Sequence, residues 1–148
     1  MDKKVINGKE VAARVRGDVA AGVVEFRKKH NRAPRLSVIL VGDDPASQVY
    51  VRNKEKACVE VGIESSVLRY PATIAQERVI EVVQKLNQYP AVDGILVQLP
   101  LPKHLDENAV IAAILPSKDV DGIHPYNMGL LFKGEKIGLV PCTPSGII

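Results

Sequence analysis

Two residues one helical turn apart, Tyr50 and Lys54, raise the first chemical question in this sequence. They lie in "VYVRNKEKA", residues 49–57, a stretch that should be helical. On a wheel at about 100° per residue, Ser47, Tyr50, Lys54, Ala57, Cys58 and Val61 share one side, and Arg52, Glu55, Lys56 and Glu60 lie largely opposite. The core-facing stripe therefore carries one ammonium group. Either Lys54 snorkels, its stem covering apolar surface while its head reaches water, or it is held in a cleft. Burial in a cleft lowers a lysine's pKa, which suits it to proton transfer or to polarising a substrate atom.

Other polar residues fall at similarly unusual places. In "GILVQLPLP" an amide, Gln98, sits at the end of an apolar run, and Pro100 and Pro102 then hold the chain extended with no N–H to donate. The commoner fate of such an amide is satisfaction by backbone. "DVDG" sets Asp119 and Asp121 two residues apart before Gly122. Asp before Gly is frequently only a turn residue. Asp121 reaches Lys54 only if its segment folds back across the sheet. The possible metal ligands Asp43, Asp44, Asp119, Asp121, His104 and His124 lack His–His or Cys–Cys ligand spacing, so no metal site is expected. Cys58 reads as a small core residue, and Cys142 has no base arranged beside it. Neither a G-x-G-x-x-G segment nor a P-loop is present.

The elements that must position these residues alternate. Residues 7–30 read as a helix with Val11, Val15, Val19, Val23 and Phe26 as its apolar stripe. "RLSVILVG", residues 35–42, reads as a strand buried on both faces. Asp44 is a natural N-cap and Pro45 a natural first residue for a helix that Gly62 stops. "ESSVLRYP" is a second strand, "AQERVIEVVQKLNQ" a helix, "VDGILVQLPLP" a third strand, and "LDENAVIAAIL" a helix capped by Asp106. This order predicts an α/β fold with three α-β-α layers and a mostly parallel sheet. Ligands of open α/β sheets bind beyond the carboxyl ends of the strands, so the site is expected at the top of the sheet.

Composition narrows the function classes. The 148 residues are 46% hydrophobic and 25% charged, as in ordinary globular domains. With no Trp, four Tyr and two Phe, the chain lacks aromatics interleaved with basic residues, so no nucleic-acid partner is expected. No run approaches the roughly 20 apolar residues of a membrane span, and "MDKKVINGKE" has neither signal- nor transit-peptide character. The chain reads as cytoplasmic, without a membrane partner.

Together, "VGDDPASQVYVRNKEKACVEVGI", "DGILVQLPLP", "KDVDGIHPYNMGLL" and "PCTPSGII" resemble the N-terminal half of the bifunctional methylenetetrahydrofolate dehydrogenase/methenyltetrahydrofolate cyclohydrolase family. The likeness covers essentially the whole chain, in order. It implies a folate-binding catalytic domain over residues 1–140, with 141–148 opening an interdomain helix. It places the substrate in a cleft shared with an NADP-binding Rossmann domain that this sequence lacks. Under the resemblance, Lys54 and Gln98 act at the one-carbon bridge, Tyr50 packs on the folate's aromatic part, and Asp121 hydrogen-bonds the pterin edge. These four are the implied catalytic residues. Ser47, Val97, Leu99 and Pro100 join them in binding substrate, and Asn127 lies towards the nicotinamide. The full-length protein would be an NADP-dependent homodimer in the one-carbon metabolism that feeds purine biosynthesis.

"PCTPSGII" places an N-cap, Thr143, before Pro144, so a helix is expected to begin where the sequence stops. The chain reads as part of something longer that cannot transfer hydride alone. Three competing readings stand beside this one. They are a Schiff-base lysine enzyme acting on small carbonyl compounds, a non-catalytic ligand-binding module, and a folding unit without function in isolation.

Overall fold

A computed structural model describes residues 7–135 and 139–141. Asn7 caps the first helix, α1 (Gly8–His30), which ends on Asn31 in the left-handed region. Strand β1 (Arg35–Val41) follows, then α2 (Pro45–Val61), β2 (Glu64–Tyr70), α3 (Gln76–Gln88), β3 (Gly94–Val97), α4 (Glu107–Ala112), a 3-10 turn at Pro116–Lys118 and α5 (Pro125–Phe132). The sheet has the order β2-β1-β3, and both pairings are parallel.

Alternation along the strands divides the core. Ile39, Val41, Ile95 and Val97 face a large cluster with Val79, Val83 and Val110 of α3 and α4. Val38, Leu40 and Leu96 face the other way, onto Val51 of α2. A period of two is what sends neighbouring strand residues to opposite layers. The result is the three-layer α/β architecture that the element order predicts.

Three expectations change. The third strand is four residues long rather than spanning 92–102. The Gln98 N–H still donates to Ile39 O, but the prolines beyond it have no N–H with which to continue the ladder. The helix expected over 105–115 is confined to Glu107–Ala112. The stripe of α1 is buried only at its C-terminal end: Val23 is covered, whereas Val11, Val15 and Val19 are 40%, 51% and 39% exposed. The reason is where α1 docks. Arg16 pairs with Glu60, and Arg27 donates to Gly62 O, so its contacts gather at the end of α2. The expected helix at the end of the chain lies outside the described residues.

Candidate active site

Local signals fix α2. The Asp44 carboxylate accepts from the Ser47 N–H at 2.7 Å, Pro45 opens the helix, and Gly62 at φ 84° closes it. The buried residues are Ser47, Val51, Cys58 and Val61. The helix is thus turned by roughly 30° from the expected wheel, so that Val51 takes the place against the sheet. Lys54 and Tyr50 move to the shoulder of the helix. Tyr50 is 62% exposed, and Lys54 is half-buried. The lysine does not snorkel into solvent: its Nζ donates to Gln98 Oε1 at 3.1 Å.

Gln98 is held at both ends of its amide, because Nε2 donates to Leu99 O at 2.7 Å. Its oxygen is therefore the atom presented to Lys54. Side-chain alternation on β3 puts Leu96 and Gln98 on the α2 face and Val97 on the other.

Lys54, Gln98, Tyr50, Leu99 and Asp121 line one cavity of about 880 Å³, within the size range of small-molecule sites. Leu36, Leu96, Ala57, Cys58, Val120 and Met128 supply apolar wall. The expected location needs correcting. The cavity lies over the face of the sheet, where Leu36 and Leu96 form part of its wall, and not solely beyond the strand ends. Its place follows from α2, which starts at the carboxyl end of β1 and runs back along the sheet. At 1.5 Å per residue, the nine steps from Pro45 bring Lys54 back by roughly 13 Å.

The segment after the 3-10 turn brings Asp121 to the same cavity. It returns beside β3, where Asp119 forms an isolated parallel bridge with Ile95. Lys118 anchors it: its Nζ donates to the carbonyls of Leu86, Asn87 and Tyr89 at the end of α3, and burial lowers its pKa. Asp119 is 1% exposed and accepts from the Gly122 N–H at 3.1 Å, the His124 N–H at 2.8 Å and Asn127 Nδ2 at 2.9 Å. Two glycines let the segment lie close. A Cβ on Gly94 would collide with Val120 Cγ1. One on Gly122, at φ 67°, would fall 2.8 Å from Pro141 N. Burial pushes the Asp121 carboxyl above the usual carboxylate range; Lys54 pulls it back, and Asp119 adds to the rise.

The remaining implied residues lie elsewhere. Ser47 is buried in the first turn of α2, Val97 belongs to the opposite core layer, and Pro100 is exposed; none of the three lines the cavity. Asn127 is buried, and Nδ2 donates to Pro116 O as well as to Asp119, so both its amide hydrogens are engaged. Residue-by-residue reading of the sequence gave no role to Lys118, Gly94 or Gly122. The signal was there for Gly122, a glycine closing an Asp-rich turn. Among the described residues, no three His, Cys, Asp or Glu side chains gather to hold a metal ion.

The arrangement suits a flat, polar ring system. Tyr50 offers an aromatic face at the rim, Lys54 an ammonium oriented by an amide oxygen, and Asp121 a carboxyl able to hold its proton above the usual range. Residues 6–121 match the family described as "Tetrahydrofolate dehydrogenase/cyclohydrolase, catalytic domain". A Streptococcus pneumoniae relative named "Bifunctional protein FolD" is 52% identical over 145 residues, covering 98% of this chain and 50% of the relative. One of the same name from Brevibacillus brevis is 51% identical over 148 residues, covering 100% and 51%. The chain thus spans about half the length of the curated relatives it matches. The solved bifunctional methylenetetrahydrofolate dehydrogenase/cyclohydrolase of Campylobacter jejuni superposes with a TM-score of 0.90 at 43% identity, over 95% of this chain and 50% of that one. A Trypanosoma brucei dehydrogenase-cyclohydrolase, solved with NADP and an inhibitor, gives 0.90 at 36%, over 97% and 49%. With the match spanning both strand ends, α2 and the Asp121 segment, the chain belongs to the tetrahydrofolate dehydrogenase/cyclohydrolase catalytic-domain family.

Proposed function

We propose that this chain is the folate-binding half of an enzyme that oxidises 5,10-methylenetetrahydrofolate to 5,10-methenyltetrahydrofolate and hydrolyses that product to 10-formyltetrahydrofolate. The observation that carries the reading is the Lys54 Nζ to Gln98 Oε1 bond on the wall of a cavity that Tyr50 and Asp121 also line. Tyr50 stacks on the ring system, and Asp121 hydrogen-bonds the pterin edge. In the hydrolysis, water adds to the cationic methenyl carbon and gives up one proton to solvent; the hydroxyl proton of that adduct then passes to N5 as the carbon–nitrogen bond to N5 breaks and the formyl C=O forms. Lys54 moves that proton, with its nitrogen aimed by Gln98. Such general acid–base help is worth about 10²–10⁴ in rate. Leu99 touches substrate from the cavity wall, whereas Ser47, Val97 and Pro100 do not line the cavity.

NADP supplies the hydride acceptor for the oxidation. We assign the cofactor's own site to the half of the full-length relatives that this chain does not span. Asn127, with both amide hydrogens engaged, is assigned to holding the Asp119 turn rather than to the nicotinamide. The same reading makes the full-length protein a cytoplasmic homodimer supplying one-carbon units to purine biosynthesis. Among the described residues no helix is long and apolar enough to cross a membrane.

The test is Lys54→Met in the full-length protein, following methenyltetrahydrofolate hydrolysis by absorbance. Hydrolysis should fall by about 10² or more. A variant that keeps wild-type turnover removes Lys54 from the reaction. The 148-residue chain alone should not reduce NADP with methylenetetrahydrofolate.

A further inference from the structure

Asp121 sits on a connection between the 3-10 turn and α5, outside any helix or strand. A group that must meet substrate within a fraction of an ångström is poorly served by a free loop. This one is not free. The Asp119 carboxylate, fully buried two residues earlier, gathers the N–H groups of Gly122 and His124 from the far side of Asp121. The loop is thereby closed into a ring with Asp121 on its outer edge. Asn127 seals the ring from α5, donating to Asp119 and to Pro116 O at the ring's entrance, both at 2.9 Å. All three acceptor contacts of Asp119 are thus to groups that flank the cavity-lining residue, and none is to a group inside the cavity.

Resting on the function proposed above, we propose that Asp119, clamped by Asn127, is the positioning residue for Asp121, fixing both where that carboxyl stands and the charge it faces. A carboxylate suits the task better than an amide, because it can accept on both oxygens without presenting a donor to the converging N–H groups. The ionisable groups around Asp121 are Lys54, Tyr50 and Cys58 on α2 and Asp119 on its own segment, while Gln98, just past β3, is uncharged. Burial and Asp119 raise the Asp121 carboxyl pKa while Lys54 pulls it down, so removing the Asp119 charge leaves burial alone to oppose the lysine.

Two variants separate position from charge. Asn127→Ala loosens the ring and leaves every charge in place; Asp119→Asn loosens the ring and removes a charge. In the 148-residue chain, amide exchange at Gly122 and His124 should quicken by about tenfold in Asn127→Ala, the scale of one hydrogen bond to a charged group. The Asp121 carboxyl, followed by carbon-13 labelling, should titrate unchanged in Asn127→Ala and at lower pH in Asp119→Asn. In the full-length protein, Asn127→Ala should raise the folate KM by about tenfold with a smaller change in kcat. Unchanged exchange at both amides in Asn127→Ala overturns the positioning role, and it decides the matter alone if Asp119→Asn does not fold. A folded Asp119→Asn chain with an unmoved Asp121 titration overturns the charge role. If the wild-type full-length protein does not turn over folate, the proposed function fails, while exchange and titration still decide the role of Asp119.

Discussion

Replacing Gly94 by alanine tests how tightly the Asp121 segment is fitted against β3. The added methyl would collide with Val120 Cγ1 and lie 3.5 Å from Leu36 Cδ1. Gly94 is not among the glycines at positive φ, so alanine suits its backbone and the penalty is steric. Forcing a methyl into packed core costs about 1–3 kcal/mol, and a β-branched valine cannot easily swing aside. Val120→Ala alone, removing two half-buried methyls, should cost about 1 kcal/mol. In the double variant the new Cβ meets Leu36 at 3.5 Å and Val120 Cβ at 3.8 Å, both ordinary contacts. Alanine for glycine also restricts the unfolded chain, worth about 0.4–1 kcal/mol. The double variant should therefore be as stable as Val120→Ala or slightly more so, with a coupling of about 2 kcal/mol opposing the single losses. Urea unfolding of the four proteins measures this, provided the denaturant slope is constant. Single-site losses that simply add, within about 0.5 kcal/mol, would refute the claim that Val120 occupies the space Gly94 leaves.

Other outcomes follow from the same geometry. Lys118→Met keeps the stem but strips the ammonium from three carbonyls at the end of α3, and should lower unfolding free energy by about 1.5–3 kcal/mol in urea. Asp121→Asn should stabilise the chain at pH 7, because a carboxyl whose folded pKa is raised loses stability as pH climbs through the unfolded value; the gain should vanish below about pH 4, and a loss at pH 7 contradicts it. Asp93 is the opposite case, its pKa held down by Arg32, so Asp93→Asn should destabilise at neutral pH, with a penalty that shrinks as acid titrates the wild type below about pH 4. Gly122→Ala should raise the folate KM and lower the thermal midpoint, since φ 67° and the neighbouring Pro141 backbone both resist a side chain; an unaltered KM means the turn tolerates displacement.

How much could be read in advance depended on whether the cause was local. The bounds of α2 were legible because Asp44, Pro45 and Gly62 act within one turn of each end. So was β1, whose unbroken apolar run requires cover on both faces. Apolarity alone overextended β3, since a run stopped by prolines looks the same whether it is strand or extended loop. Periodicity found the stripe of α1 but could not show that its polar contacts would reach Glu60 and Gly62 at the end of α2 while Val11, Val15 and Val19 stay largely exposed. Lys54 and Gln98 stood out as polar groups in apolar settings. Placing Val51 rather than Tyr50 against the sheet required knowing from which side the strands approach the helix. The arrival of Asp121 beside β3 depends on a chain reversal with no periodic signature. Asp119, whose partners are mostly backbone N–H groups, looks in sequence like any turn aspartate.

Residues 139–141 pass over Gly122 through a space that would not admit one methyl group. Residues 139–141 are therefore laid directly across the bend that carries Asp121. Such a crossing has no slack. A displacement of residues 139–141 would be felt at the carboxyl, so that segment and the cavity wall are mechanically joined at a single glycine.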